Sequence, residues 1–359
     1  MDWNFIIFSV VKIAIVIGAV QFFAAYAVLV ERKVSAWIQD RVGPNRVAPP
    51  FVKYIPVVGP VLTRMGVFQP LADGLKFLLK EDFTPAGVRK AYFWLAPMIS
   101  IIPSMIVVAV VPFGSYIGHQ KMVIADLNVG ILYTFGIVSL GVYGIVLAGY
   151  AANSKYPFLG GIRSSAQMIS YEISMGMSVI PVFLIASSLN LSQVVNWQAQ
   201  HGWMLIYAPL SFVIFLVASF AETNRTPFDL PEAETELVGG YHTEYSSMKF
   251  ALFFLAEYSN MVAASGMMVT LFFGGWTLPF WGLDQSAASF TGDKALLIGI
   301  AQILVFILKM VVLMVVFIWV RWMWPRFRYD QLMDLGWRRF VPLALVNILI
   351  TAIVLWATS

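Results

Sequence analysis

The chain has 359 residues, 60% hydrophobic and only 12% charged, with no cysteine, a net charge of +4 and a mean hydropathy of +0.80. Soluble globular domains carry roughly a quarter of their residues as charges, so this composition excludes that class and indicates a polytopic membrane protein. The absence of cysteine excludes disulfides and thiolate-ligated iron–sulfur clusters on this chain, and three scattered histidines (His119, His201, His242) do not form a bis-histidine haem pair.

A crossing takes about 20 apolar residues, because each residue advances 1.5 Å and the hydrocarbon layer is about 30 Å thick. Eight runs qualify: 5–30, 92–112, 128–150, 166–188, 203–220, 248–273, 295–320 and 340–357. The first is too long for a removable signal peptide and lacks its small-residue cleavage site. After it comes ERKVSAWIQDRVGPNR, then a segment punctuated by Pro and Gly, then QPLADGLKFLLKE. In the last of these, Leu71, Leu75, Leu78 and Leu79 make one stripe opposite Asp73, Lys76 and Lys80, which predicts an amphipathic helix lying along the interface. The fold class is therefore all-α: a polytopic bundle of about eight transmembrane helices plus an interfacial one. No internal repeat and no low-complexity tract divides it, so residues 1–359 read as a single transmembrane domain.

Lys and Arg distribution predicts orientation. Loops 31–91, 151–165, 221–247 and 321–339, with their immediate flanks, hold nineteen of the 23 basic residues. They are expected on the cytoplasmic or matrix side of an energy-transducing membrane, taken as the bacterial inner membrane, with both termini on the periplasmic side. Because the basic residues flank apolar spans, a pI near 9.1 implies contact with membrane lipids and no nucleic acid partner.

One of these loops, AETNRTPFDLPEAETELVGGYHTEY, packs six acids (Glu222, Asp229, Glu232, Glu234, Glu236, Glu244) against the single base Arg225. Such crowding is unfavourable unless water, cations or protonation relieve it, and charges beside a bilayer commonly mark a functional site. The plain alternative is a solvated acidic loop. Inside the spans lie Glu172, Glu257, Lys309 and Lys12. A charge at mid-bilayer costs at least about 2.5 kcal/mol on insertion scales. The two glutamates are expected to relay protons; the competing account is a structural ion pair, for instance of Lys309 with a glutamate. Lys12 is close enough to an end to snorkel.

ERKVSAWIQDRVGPNR, QPLADGLKFLLKE, NSKYPFLGGIRSSAQMISYE, AETNRTPFDLPEAETELVGGYHTEYSS and PRFRYDQLMDLGW, in that order, resemble the H subunit of respiratory complex I, the proton-translocating NADH:quinone oxidoreductase. The resemblance covers nearly the whole chain. It implies a subunit at the joint between the membrane arm and the peripheral arm, forming most of the tunnel for the quinone tail and the start of a carboxylate path for protons. It implies no redox centre on this chain, a quinone (ubiquinone or menaquinone) as substrate, and partners among the peripheral quinone-site and iron–sulfur subunits and the small membrane subunits.

Carried over by motif, Glu222, Glu232, Glu234 and Glu236 would form an acidic funnel that Glu172 and Glu257 continue into the membrane. Glu31, Arg32, Trp37, Arg41, Arg46, Asp73, Phe228, Asp229, Arg321 and Arg326 would line or brace the tunnel and docking face. An apolar tube suits an isoprenoid tail, with Trp37 and Phe228 as candidate walls, and arginines suit its polar end. Read by pattern alone, Arg32 and Arg41 are equally lipid-phosphate anchors, Phe228 is core, and His242 is a satisfied polar contact. The segment Val47 to Phe68 is longer than the family usually shows. Alternative functions are the equivalent subunit of a ferredoxin- or deazaflavin-driven complex or of a membrane-bound hydrogenase, a stand-alone proton-coupled transporter, and a passive anchor for the peripheral arm.

Overall fold

A computed structural model describes residues 3–50, 52, 58–118, 120–230, 234–278 and 293–358, with the side chains of 3–5, 234–235 and 293 left undescribed. Glu232, His119 and most of 51–57 lie outside the described residues. Helix α1 (Trp3–Ile38) runs for 36 residues, about 54 Å, so its Glu31–Ile38 turns project beyond a 30 Å core. Asp40 and Gly43, both with positive φ, follow its end. Helix α2 (Val58–Met65) leads into α3 (Gln69–Leu79), which carries Pro70 in its first turn and buries none of its residues. The predicted stripe is there: Leu71, Leu75, Leu78 and Leu79 are all exposed on one amphipathic helix.

Helix α4 (Lys90–Ile106) contains Pro97 and Pro103 and tightens into a 3-10 turn, Val107–Val110. A two-residue hairpin, β1 (Tyr116–Ile117) with β2 (Gln120–Lys121), precedes α5 (Gly130–Ala151). Helix α6 (Lys155–Ala186) begins eleven residues earlier than the predicted span, so most of the expected 151–165 loop is helix. Its start follows Asn153, at φ 51°, and its end is Ser187, at φ 52°. Next comes α7 (Leu191–His201), capped by Asn190, whose Oδ1 accepts from the backbone N–H groups of Ser192 and Gln193.

The predicted span 203–220 is broken in two. Pro209 has no N–H and disfavours helical geometry in the residue before it, and Ala208 accordingly sits at φ −134°, ψ 60°. The result is a single turn, α8 (Met204–Tyr207), and a 14-residue α9 (Pro209–Glu222), about 21 Å long. One face of α9 is packed, with Ile214, Phe215, Ala218 and Ser219 buried, while Leu210 and Val213 are exposed. After the short α10 (Glu234–Leu237) come α11 (Ser247–Phe272) and α12 (Asp293–Met323). Helix α13 (Tyr329–Asp334) continues through a π turn, Leu335–Phe340, into α14 (Val341–Thr358). Among the described residues, seven helices are long and apolar enough to cross a membrane, and α9 is a shorter apolar helix among them.

The flanks of the bundle are apolar and its interior holds small polar groups. Ile7, Leu349, Ile353 and Trp356 are exposed, while Ser164, Gln167, Ser174, Ser219 and Ser259 are completely buried. Small residues let helices approach where no hydrophobic force drives them together. Gly149 of α5 meets α6 so closely that a Cβ there would stand 2.6 Å from the carbonyl oxygen of Pro157.

Side-chain contacts gather the polar segments at one end of the bundle. Arg32 pairs with Asp73 (2.7 Å), Arg163 with Glu236 (2.6 Å), and Ser247 Oγ donates to the carbonyls of Phe77 and Lys80. At the other end, Asp126 accepts from Asn190 Nδ2 (3.0 Å) and Ser192 Oγ (3.1 Å) and pairs with Lys121.

Candidate functional site

Four elements deliver charge to one buried point. The end of α1 brings Glu31, the turn after α9 brings Arg225, the middle of α11 brings Glu257 and Tyr258, and the end of α12 brings Arg321. Arg225 Nη1 lies 3.0 Å from Glu31 Oε2, and its Nε lies 2.7 Å from Glu257 Oε1. Arg321 Nη1 donates to the other oxygen of Glu31 at 2.6 Å. Tyr258 donates its hydroxyl to Glu31 Oε2 (2.8 Å) and offers its ring face to the Arg225 guanidinium, 4.1 Å from the ring centroid. Arg225 is only 3% exposed, which is tolerable because both carboxylates and an aromatic face replace its water. Beside it, Asp229 takes Arg326 at 3.1 Å. Burial nevertheless holds the Asp229 carboxyl above its ordinary range against the pull of Arg326 and Arg321. Among the described residues its Oδ1 finds no hydrogen bond.

The loop that carries Arg225 is fixed from α6. Gln167, fully buried, donates Nε2 to the carbonyls of Ala221 (2.6 Å) and Phe228 (2.8 Å) and lies 3.2 Å from Asn224 Oδ1. The Thr226–Pro227 bond within it is cis. Two small cavities flank Glu222 at the end of α9. One, of about 30 Å³, is also bordered by Glu257, Asn260 and Ser100. The other, of about 40 Å³, runs from Glu222 and Asn260 toward Thr134, Phe135 and Met175. A water needs roughly 10–15 Å³ of such space, so each has room for a few. Ser100 Oγ finds no protein partner among the described residues, as expected for a hydroxyl facing a water-sized cavity. Glu172, half-buried on α6, sits beside the Ser139 hydroxyl and close enough to Glu222 for their charges to interact.

The residues singled out from sequence therefore divide. Glu31, Asp229, Glu257, Arg321 and Arg326 come together around Arg225, and Glu222 and Glu172 adjoin them. Glu236 is instead on the surface with Arg163, and Glu234 lies on α10 with an undescribed side chain. Arg41 contacts Gln39 and is exposed, as is Arg46. Trp37 is 64% exposed at the end of α1, whereas Phe228 is 3% exposed and packed between the rings of Phe327 (5.3 Å) and Tyr171 (5.6 Å). Phe228 thus braces the loop. Lys309 forms no ion pair with a glutamate among the described residues; its ammonium donates to the carbonyls of Phe273, Gly275 and Thr277, closing the end of α11. The sequence pattern did not single out Gln167, Tyr258, Asn260 or Ser100. The signal for Gln167 and Asn260 was a carboxamide inside an apolar run.

His242 packs edge-on to the rings of Phe250 (5.1 Å) and Phe254 (5.8 Å), and burial pushes its imidazole down from 6.5 to about 4. Between those values the unfolded chain binds the proton and the folded chain does not, so stability rises with pH across that window. Lowering the pH from neutrality to about 5 should remove about 2 kcal/mol through this residue. Melting curves in mild detergent check it: His242→Gln should be less pH-sensitive than the parent between about pH 7 and 5.

A family profile described as NADH dehydrogenase matches residues 11–352. Over 358 residues the chain is 45% identical to the first of the H-type subunits of the NADH-quinone oxidoreductase of Cytophaga hutchinsonii, covering 98% of this chain and 96% of that one. It is 46% identical over 344 residues to the H-type subunit of the Salinibacter ruber NADH-quinone oxidoreductase, covering 94% and 93%. It is 47% identical over 343 residues to subunit 8 of the Rhodothermus marinus enzyme, covering 94% of each.

Proposed function

The chain belongs to the NADH dehydrogenase family and is a multi-pass membrane subunit of the complex I class; from that premise we propose that it bounds the quinone-access tunnel and begins the carboxylate path coupling quinone reduction to proton pumping. The observation that carries this reading is the position of Glu222. It borders both water-sized cavities, and the first of them is shared with Glu257 of the ion cluster.

Quinone reduction consumes two protons and creates transient negative charge. The chain's own groups respond as follows. Arg321 and Arg326 lie at the outer edge of the cluster, 27% and 41% exposed, which suits them to meet the site of a neighbouring subunit. Negative charge there competes with Glu31 and Asp229 for the two arginines. Arg225, held between Glu31 and Glu257, then shifts its balance, and the proton affinity of Glu257 and Glu222 follows. Waters in the two cavities connect Glu222 to the neighbourhood of α5 and α6, where Glu172 stands. Asn260 borders both cavities and Ser100 the first, where their polar groups are placed to orient water.

Trp37 and the Leu71–Leu79 stripe of α3 form the chain's share of the apolar approach, which peripheral and small membrane subunits complete. Quinone is the substrate, and the end of the bundle carrying α3, Arg225 and α13 faces the cytoplasm, in a bacterial inner membrane.

The test is Glu222→Gln in the assembled complex. Quinone reductase turnover and proton pumping should both fall at least about tenfold, the equivalent of about 1.4 kcal/mol, with assembly unchanged. Glu236→Gln, on the exposed pair with Arg163, should stay within about twofold of the parent. Full coupled activity in Glu222→Gln would rule the path out.

A further inference from the structure

An apolar cavity of about 390 Å³ between α1, α11 and α12 plays no part in that scheme. Ile15, Ala19 and Phe23 of α1, Val262 and Gly266 of α11, and Met310 of α12 are among its walls, and among the described residues only Lys12 and Gln120 bring polar side chains to it. Gln120 belongs to the β1–β2 hairpin and Lys12 sits beside it, at the end of the bundle away from Glu31 and Arg225. Lys12 Nζ donates to the carbonyls of Lys121 (2.9 Å) and Val123 (3.1 Å), which leaves one ammonium N–H for a further acceptor. Among the described residues no carboxylate pairs with it; Asp126, nearby, takes Lys121.

We propose that this cavity holds one acyl chain of an anionic phospholipid, whose phosphate is bound by Lys12. Length and charge select that occupant. From Lys12 to Phe23 is eleven residues of helix, about 16 Å, against about 15 Å for half of a 30 Å hydrocarbon layer. A chain anchored at Lys12 therefore ends at Phe23, at the middle of the membrane. An apolar void of this size left empty forfeits dispersion contacts on every wall, and water has too few partners to fill it. A lipid tail supplies the contacts. The ammonium's remaining donor and unpaired charge favour a phosphate with net negative charge over a zwitterionic headgroup.

The test uses the intact complex in proteoliposomes, with phosphatidylglycerol carrying a diazirine at one acyl terminus and the matching phosphatidylcholine probe. After illumination, adducts should concentrate on the α1 segment 15–23, on Val262–Gly266 and on α12 near Met310, with phosphatidylglycerol labelling at least about threefold stronger. Lys12→Gln should bring the two probes level. Ala19→Trp, which fills the cavity, should abolish labelling there while the exposed Leu349 of α14 is labelled as before. If that variant does not assemble, the headgroup comparison in Lys12→Gln decides. Labelling no stronger than at Leu349, no headgroup preference in the parent, or persistence in assembled Ala19→Trp would each overturn the assignment. So would displacement of the probe by a long-tailed quinone, which would give the cavity to the substrate.

Discussion

Arg225→Met should destabilise the protein by about 3–5 kcal/mol, the range for removing one partner of a buried ion pair, and little complex should accumulate in the membrane. The cause is what remains behind. Glu31 and Glu257 face Arg225 from two sides at 3.0 and 2.7 Å, and among the described residues Glu257 has no second ion-pair partner. Glu31 keeps Arg321 and the Tyr258 hydroxyl. Glu257 is therefore the group stranded, buried beside Asn260 and Ser100. Neutralising it as well, in Arg225→Met with Glu257→Gln, should restore a large part of the loss, because a hydrophobic and an amide replacement leave no bare charge. Blue-native gels and detergent melting of the single and double variants measure both. If the double variant assembles no better than Arg225→Met, the guanidinium is needed for more than charge balance, and its contact with the Tyr258 ring becomes the next suspect.

Gly149→Val should cost at least about 3 kcal/mol, the upper end for overpacking a dense contact. Its first added carbon would meet backbone, the Pro157 carbonyl at 2.6 Å and the Cα of Gly161 at 3.3 Å, and backbone on a rigid helix cannot rotate aside. Helices α5 and α6 would have to separate, opening the wall that carries Ser139 and Glu172. Gly136→Val is the control on the same helix, since a Cβ there meets nothing within 4 Å. It should melt within about 1 kcal/mol of the parent, because valine is a slightly better helix former than glycine and meets no neighbour there. Equal melting of the two variants would show that α5 and α6 tolerate a wider spacing than their contact suggests.

The membrane class, seven of the crossings and the α3 stripe were legible in the sequence, because each rests on a long, local pattern of apolar spacing. Less local features were hidden. The break at Ala208 depends on Pro209, but the apolar run continues across it, so hydropathy alone joins two helices. The acidic stretch read as one dense charge cluster; in three dimensions its described members part company, with Asp229 and Arg225 turned inward and Glu236 outward to Arg163. That division follows from contacts with residues nearly 200 positions away, such as Glu31, which no window on the sequence brings together. The lysines show the same limit: for Lys309 the competing account was an ion pair with a glutamate, whereas the nearest need was the three carbonyls left open where α11 ends.

The central cluster also has a property that no single pair has. Glu31, Asp229 and Glu257 stand against Arg225, Arg321 and Arg326, so the six groups sum to zero when all are ionised. A neutral assembly of this kind casts little field of its own over distance, much as a tared balance sits level. It responds instead to any added weight. With an effective dielectric constant near 20, one unit charge arriving about 10 Å away moves a site's energy by about 1.7 kcal/mol, more than tenfold in proton occupancy. The same groups that let the helix ends meet in an oily interior thereby make proton occupancy at that meeting point sensitive to a single unit charge nearby.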